Sequence, residues 1–110
     1  MEGLVSFGNK RSYDDFKKQI PAYIQSTFDS LRKFCFSLGD NVVEDIRKHR
    51  IVFGKSMAFR WFVDIEPSAD SILIKIQKSR KQPQIKFQVK QDAELEPIKK
   101  IIQSAYSSIH

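Results

Sequence analysis

The apolar residues of this chain first change their period at Gly39. Before it, Ile20, Ile24, Phe28, Leu31, Cys35 and Leu38 recur at steps of three and four, which places them on one stripe of a helix. After it the step becomes two. Runs from Val42 to Arg47, Arg50 to Gly54, Ala58 to Glu66, Ile72 to Gln77 and Ile85 to Lys90 alternate apolar and polar residues as strands do. In the third run the alternation puts Phe59, Trp61, Val63 and Ile65 on one face and Arg60, Phe62, Asp64 and Glu66 on the other. The gaps are short and polar: Lys48-His49, Pro67 to Asp70, and a basic tip from Lys78 to Pro83. Consecutive strands joined by such turns pair antiparallel. A helical stripe returns at Leu95, Ile98, Ile101/Ile102, Ala105 and Ile109. Each helix has one apolar stripe, so both must lie on the same face of the sheet. The expected fold is therefore α+β: an antiparallel meander of about five strands, an N-terminal helix kinked or split at Pro21, and a C-terminal helix.

The helix ends carry their own signals. Ser12 can cap a helix start, with Asp15 facing its positive end. Pro21 lacks an N–H and either kinks this helix or begins a second as its first residue. Gly39 is expected to close the helix in the left-handed conformation, with Asp40-Asn41 as turn residues. Asp92 is expected to open the last helix, with Glu94 and Glu96 at its positive end, Pro97 in its first turn, and Lys99 and Lys100 facing water. At 110 residues with nine Phe and 41% apolar content, the chain can bury a real core in one domain. Residues 1–11 are a mixed, glycine-containing lead expected to form a flexible arm ahead of a domain at 12–110.

Charge is the main functional signal. Residues 71–90 carry six basic groups and no acidic one: Lys75, Lys78, Arg80, Lys81, Lys86 and Lys90. Residues 1–70 are nearly balanced, with eleven basic and ten acidic, and residues 91–110 have two and three, so the net charge of +6 sits in the fourth and fifth strands. So concentrated a field attracts polyanions, above all nucleic-acid phosphates. Arg50, Lys55 and Arg60 add to it from earlier strands, and Arg60 shares its face with Phe62. A basic sheet face with an exposed aromatic is a platform for single-stranded DNA or RNA, with phosphates on the cations and a base stacked on Phe62. A β-ribbon entering a major groove is another geometry for the same residues. The expected nucleic-acid-binding residues are Arg60, Phe62, Lys75, Lys78, Arg80, Lys81, Lys86 and Lys90. The same lysines also guard an edge strand against aggregation without any ligand. Phe34 and Phe36 lie off the main helical stripe and suit an alternative: a protein–protein interaction or homodimerisation module.

Catalysis finds little support. His49 and His110 have no Cys, Asp or Glu partner at metal-binding spacing. Asp64 and Glu66 share a strand face, and Lys75 could complete a nuclease-like trio around a divalent metal. Lys75, however, comes nine residues after Glu66, and no acidic-x-Lys triplet falls on its strand. Gly54-Lys55-Ser56 lacks the upstream glycine of a phosphate loop. Cys35, the one cysteine, permits no internal disulfide or cysteine-based zinc site and reads as a small buried hydrophobe. No catalytic residue, metal or cofactor is expected. No segment approaches the roughly 20 apolar residues of a membrane span. Met1 to Lys10 lacks the apolar core of a signal peptide, so a cytoplasmic location is expected. The basic residues fall on strands, which does not suit an amphipathic helix lying on a membrane.

Four short stretches carry a family resemblance. Phe28-Asp29-Ser30-Leu31-Arg32 runs on to Ser37-Leu38-Gly39-Asp40-Asn41-Val42, and Phe62-Val63-Asp64-Ile65-Glu66-Pro67 follows, with Ile101-Ile102-Gln103-Ser104-Ala105-Tyr106 at the close. Over roughly residues 20–107 these resemble an uncharacterised family of small prokaryotic domains often labelled "predicted transport protein". In that family an F-x-x-L-R helix leads into S-L-G-x-x-V, then a basic strand pair, an F-x-x-I-x-P strand and a helix ending L-I-x-x-A-Y. Lys48 to Lys55 stands where the strand pair belongs. Where members often have a Gly- and Trp-containing insert between the last strands, this chain has only Ser79 to Pro83, so a ligand site on that insert would be missing. The shared motifs are core and turn residues. They imply a fold and assign no catalytic residue, and the transport label implies no membrane span. The resulting expectation is a small basic binding domain without enzymatic activity, whose partner is nucleic acid, another protein or a second copy.

Overall fold

The computed structural model describes residues 12–56, 58, 60–90 and 93–109. The expected arm 1–11, the placement of Phe59 and the position of His110 lie outside the described residues; the last helix begins only at Glu96, after Leu95, so it does not open at Asp92 and Glu94 stands ahead of it. Two helices come first, α1 (Tyr13–Lys17) and α2 (Ala22–Ser37). Five strands follow: β1 (Val42–Ile46), β2 (Ile51–Lys55), β3 (Arg60–Pro67), β4 (Ile72–Ile76) and β5 (Ile85–Val89). The chain closes with α3 (Glu96–Ser108). The strands form one sheet in the order β1-β2-β3-β4-β5, every neighbouring pair antiparallel. This is the expected α+β meander, with the helices before and after it packed on the sheet.

Pro21 divides the N-terminal helix rather than bending it. Its ψ of 140° is extended, so it stands immediately before the first helical residue, Ala22. Ser12 caps α1 by accepting a hydrogen bond from the Asp15 N–H at 3.1 Å. The α2 stripe is buried as expected at Ile24, Phe28, Leu31 and Cys35, while Leu38 is half-buried. Gly39 departs from expectation: it is not left-handed. What it provides is space, because a Cβ there would collide with the Tyr106 hydroxyl, which donates to Asn41 Oδ1 at 2.5 Å. The glycine lets α3 approach the α2–β1 turn.

The core is formed by the inward stripe of the helices and the inner sheet face: Phe53, Ile51, Val63, Ile65, Ile72, Ile74, Ile76 and Val89. The register carries this face across the sheet, with Phe53 opposite Val63, Ile65 opposite Ile74 and Ile72 opposite Val89. At the β1 edge the inner face turns polar. Glu44, opposite Phe53, takes a two-pronged bond from Arg32 at 2.6 and 3.1 Å. The Arg32 guanidinium lies 4.0 Å from the Tyr13 ring centroid, so one cation fastens α1, α2 and β1 together. Asp29 accepts bonds from Tyr13 at 2.6 Å and Lys17 at 2.7 Å. Desolvation raises its carboxyl, but these two bonds and the nearby cations outweigh it and hold the group below the ordinary range.

One irregularity decides the outer face. Between β2 and β3 the pairing advances one residue on β2, Phe53 to Gly54, and two on β3, Val63 to Trp61. Phe62 is the extra residue of a β-bulge, and the alternation of β3 inverts there. Phe62 joins Val63 and Ile65 inside, and Trp61 goes out. Gly54 makes the bulge possible, because a Cβ on it would stand 2.7 Å from the Arg60 carbonyl oxygen.

Candidate nucleic-acid interface

The outer sheet face is where the basic residues were expected to gather, and the register shows which of them reach it. Lys75 faces Lys86 directly across β4 and β5, and Asp64 directly across β3 and β4. Adjacent like charges repel, and Asp64, next in line, offsets part of that repulsion. Arg50 lies 3.6 Å from Asp64 on its other side. Glu66 is 4.0 Å from the Lys75 ammonium. Asp64 is itself buried, and its Oδ1 has no hydrogen-bond partner. Burial pushes its carboxyl above the ordinary range, and Arg50 and Lys75 pull it part of the way back.

The end of the sheet where β3 begins is more strongly positive. The Gln77 N–H donates to the Phe62 carbonyl at 3.0 Å, so the β4–β5 loop sits beside the start of β3. Arg60, Trp61, Gln77 and Arg80 together line a cleft of about 330 Å³. Lys78 and Lys81 belong to the same loop, and Lys86 leaves it on the outer face of β5. Among the described residues, Arg60, Lys78, Arg80, Lys81 and Lys86 have no carboxylate within ion-pair distance.

Three expectations are corrected. Phe62 is not an exposed stacking surface. It has no accessible area and packs edge-on against Tyr106 of α3, with ring centroids 5.5 Å apart. Its face of the sheet is the one the helices cover, whereas Arg60, at the start of β3, lines the cleft beside Trp61. Lys90 lies at the opposite end of the sheet, 3.9 Å from Asp70, outside the cluster. Lys55 and Arg50 are also committed elsewhere: Lys55 donates to the Ile109 carbonyl at 2.5 Å and sits over the Tyr106 ring, and Arg50 faces Asp64. Arg60 and Arg80 line one cleft, Lys78 and Lys81 share the loop of Arg80, and Lys86 stands opposite Lys75, which is itself held by Asp64 and Glu66.

Period-two counting assigned Trp61 to the covered face and so missed it. The bulge places it on the outer face, half-buried between the basic cleft and a second one of about 330 Å³ whose lining includes Val43, Val52 and Gly54. A glycine opposite an alternating aromatic pair was the available signal, since glycine inside a strand often marks a bulge. Of the two phenylalanines off the main helical stripe, Phe34 is half-buried, whereas Phe36 is exposed as its spacing suggested. Lys99 lies over the Phe34 ring at 5.6 Å rather than facing water. Phe36, 39% exposed, meets Phe53 edge-on and holds Arg32 at 5.2 Å.

Among the described residues, no group of carboxylates, histidines or cysteine could hold a metal, and no helix is long and apolar enough to cross a membrane. Cys35 is fully buried, and burial, with the Glu44 charge nearby, pushes its thiol up to about 12. Such a group holds its proton and is a poor nucleophile. No family model, curated protein or solved structure matches the chain. The family resemblance therefore rests on its sequence motifs alone.

Proposed function

We propose that this protein binds single-stranded nucleic acid across the outer face of its sheet, at the end where β3 begins. The observation that carries the reading is the group Arg60, Lys78, Arg80, Lys81 and Lys86, five cations without a carboxylate partner among the described residues. Other cations in this fold, Arg32, Lys17 and Lys55 among them, have acceptors. Cations left together repel one another, and phosphates relieve that repulsion. The Trp61 cleft favours unpaired strands over duplex, because bases must be unstacked to meet an aromatic side chain. The cytoplasm, where such strands occur, is the compartment that suits this reading.

The test is fluorescence anisotropy of an end-labelled 12-nucleotide single strand, titrated at several salt concentrations. With four or five phosphates engaged, log affinity should fall with log salt at a slope of about −3. That amounts to a roughly 60-fold loss between 50 and 200 mM salt. Lys78→Ala/Arg80→Ala/Lys81→Ala should weaken binding to all sequences alike and flatten the slope by about 2. No binding at 50 mM salt, or binding indifferent to salt, would dismiss the proposal.

A second reading has its own observation. Val43, on the sheet-edge strand β1, is 48% exposed beside the apolar Val52–Gly54–Trp61 cleft. Exposed apolar groups on an edge strand suit pairing with another protein or a second copy. Dimerisation by light scattering, abolished by Val43→Lys, would favour it.

A further inference from the structure

Resting on the nucleic-acid reading, the geometry points to Trp61 as the platform on which one unpaired base stacks, with Gln77 reading an amino group on that base. Trp61 is the chain's sole tryptophan and lines the cleft with Arg60, Gln77 and Arg80. An indole is the largest aromatic face a protein offers, and every base has a π-face to lay on it. Arg60 and Arg80 line the same cleft, and their guanidiniums would hold the phosphates flanking that base. The bulge, fixed by Gly54, keeps the indole turned outward, so the platform is built before any ligand arrives.

Gln77 supplies the selectivity. Its Nε2 donates to the backbone carbonyls of Ser79 and Gln82, the latter at 2.8 Å. Because both partners are acceptors, the amide cannot turn over without setting its own oxygen against them. Oε1 is left as the free group of this side chain, and it can only accept. It therefore suits bases with an exocyclic amino group (adenine, cytosine or guanine) over thymine or uracil, whose one edge donor, N3–H, is flanked by two carbonyl oxygens that repel Oε1.

The sole tryptophan makes the test direct. Intrinsic fluorescence of the full chain is followed during titration with 12-nucleotide (dA), (dC) and (dT) strands and with (rA), alongside anisotropy of the same labelled strands at 50 mM salt. Quenching should saturate on the same isotherm as anisotropy, with (dA) and (dC) binding more tightly than (dT). The (rA) arm separates RNA from DNA as the source of the base. Trp61→Ala should weaken binding by about 5- to 140-fold and Trp61→Phe by much less. Gln77→Glu should keep its acceptor but lose the loop bonds; Gln77→Leu should erase the preference against (dT). Anisotropy without any change in Trp61 emission would place the strand elsewhere, overturning this inference and leaving the nucleic-acid reading intact. A preference for (dT) would overturn the role of Gln77. No anisotropy change with any strand would remove the reading and the inference together.

Discussion

Phe62→Ala separates the observed packing of β3 from the one its alternation suggests. The side chain has no accessible surface, and its ring meets Tyr106 edge-on at 5.5 Å. Truncation removes its transfer free energy and leaves a cavity beneath α3, together about 3–5 kcal/mol. Of that, roughly 0.5–1.5 kcal/mol belongs to the ring–ring contact, which a double-mutant cycle with Tyr106→Leu would isolate. Domains of this size have a total stability of about 5–15 kcal/mol, so the loss is a large share. At about 4 °C per kcal/mol, the melting temperature should fall by roughly 12–20 °C. Urea unfolding followed by far-ultraviolet circular dichroism gives the free energy, and anisotropy at 10 °C gives the affinity of the remaining folded protein. Stability should collapse while affinity stays within about twofold. A loss under about 1 kcal/mol, with binding abolished, would mean that Phe62 faces the ligand and that the inverted alternation is wrong.

The remaining predictions concern the bulge and the buried carboxylate. Gly54→Ala should cost about 1–3 kcal/mol, because its Cβ meets a backbone oxygen of β3 that cannot swing aside as a side chain would; an unchanged urea midpoint would refute the role assigned to this glycine. Asp64→Asn should raise the melting temperature at pH 7. The folded state raises the Asp64 pKa, so it binds that proton more tightly than the unfolded chain does, and stability falls as pH rises from the ordinary carboxylate range through the raised value. Below that range the gain from the substitution should vanish, so melting curves at pH 3 should show the two proteins closer together than at pH 7. A lower melting temperature for the variant at pH 7 would show that the attraction of Arg50 and Lys75 outweighs burial.

The errors share a physical origin. Ser12, the α2 stripe and all five strands were legible because each depends on residues close in sequence: a cap three residues from its donor, or a stripe every third or fourth position. The fates of Lys55, Lys90 and Lys99 were not, because long cationic side chains go wherever an acceptor or ring is brought. Their partners, Ile109 and Tyr106, Asp70, and Phe34, come from elsewhere in the fold. Gly39 looked like a helix stop because glycine usually is one, whereas its reason is a tyrosine 67 residues later.

What the residues settled unaided was the architecture. A helical period that switches to a strand period at Gly39, with short turns after it, leaves an antiparallel meander under helices as the way to bury every stripe. What the assembled sheet decided was which aromatic faces the solvent. Alternation is a local rule that holds only while the ladder is unbroken, and the break at Phe62 arises between two strands, where Gly54 leaves room for the Arg60 carbonyl. That one extra residue buries Phe62 under α3 and turns Trp61 toward the basic cleft.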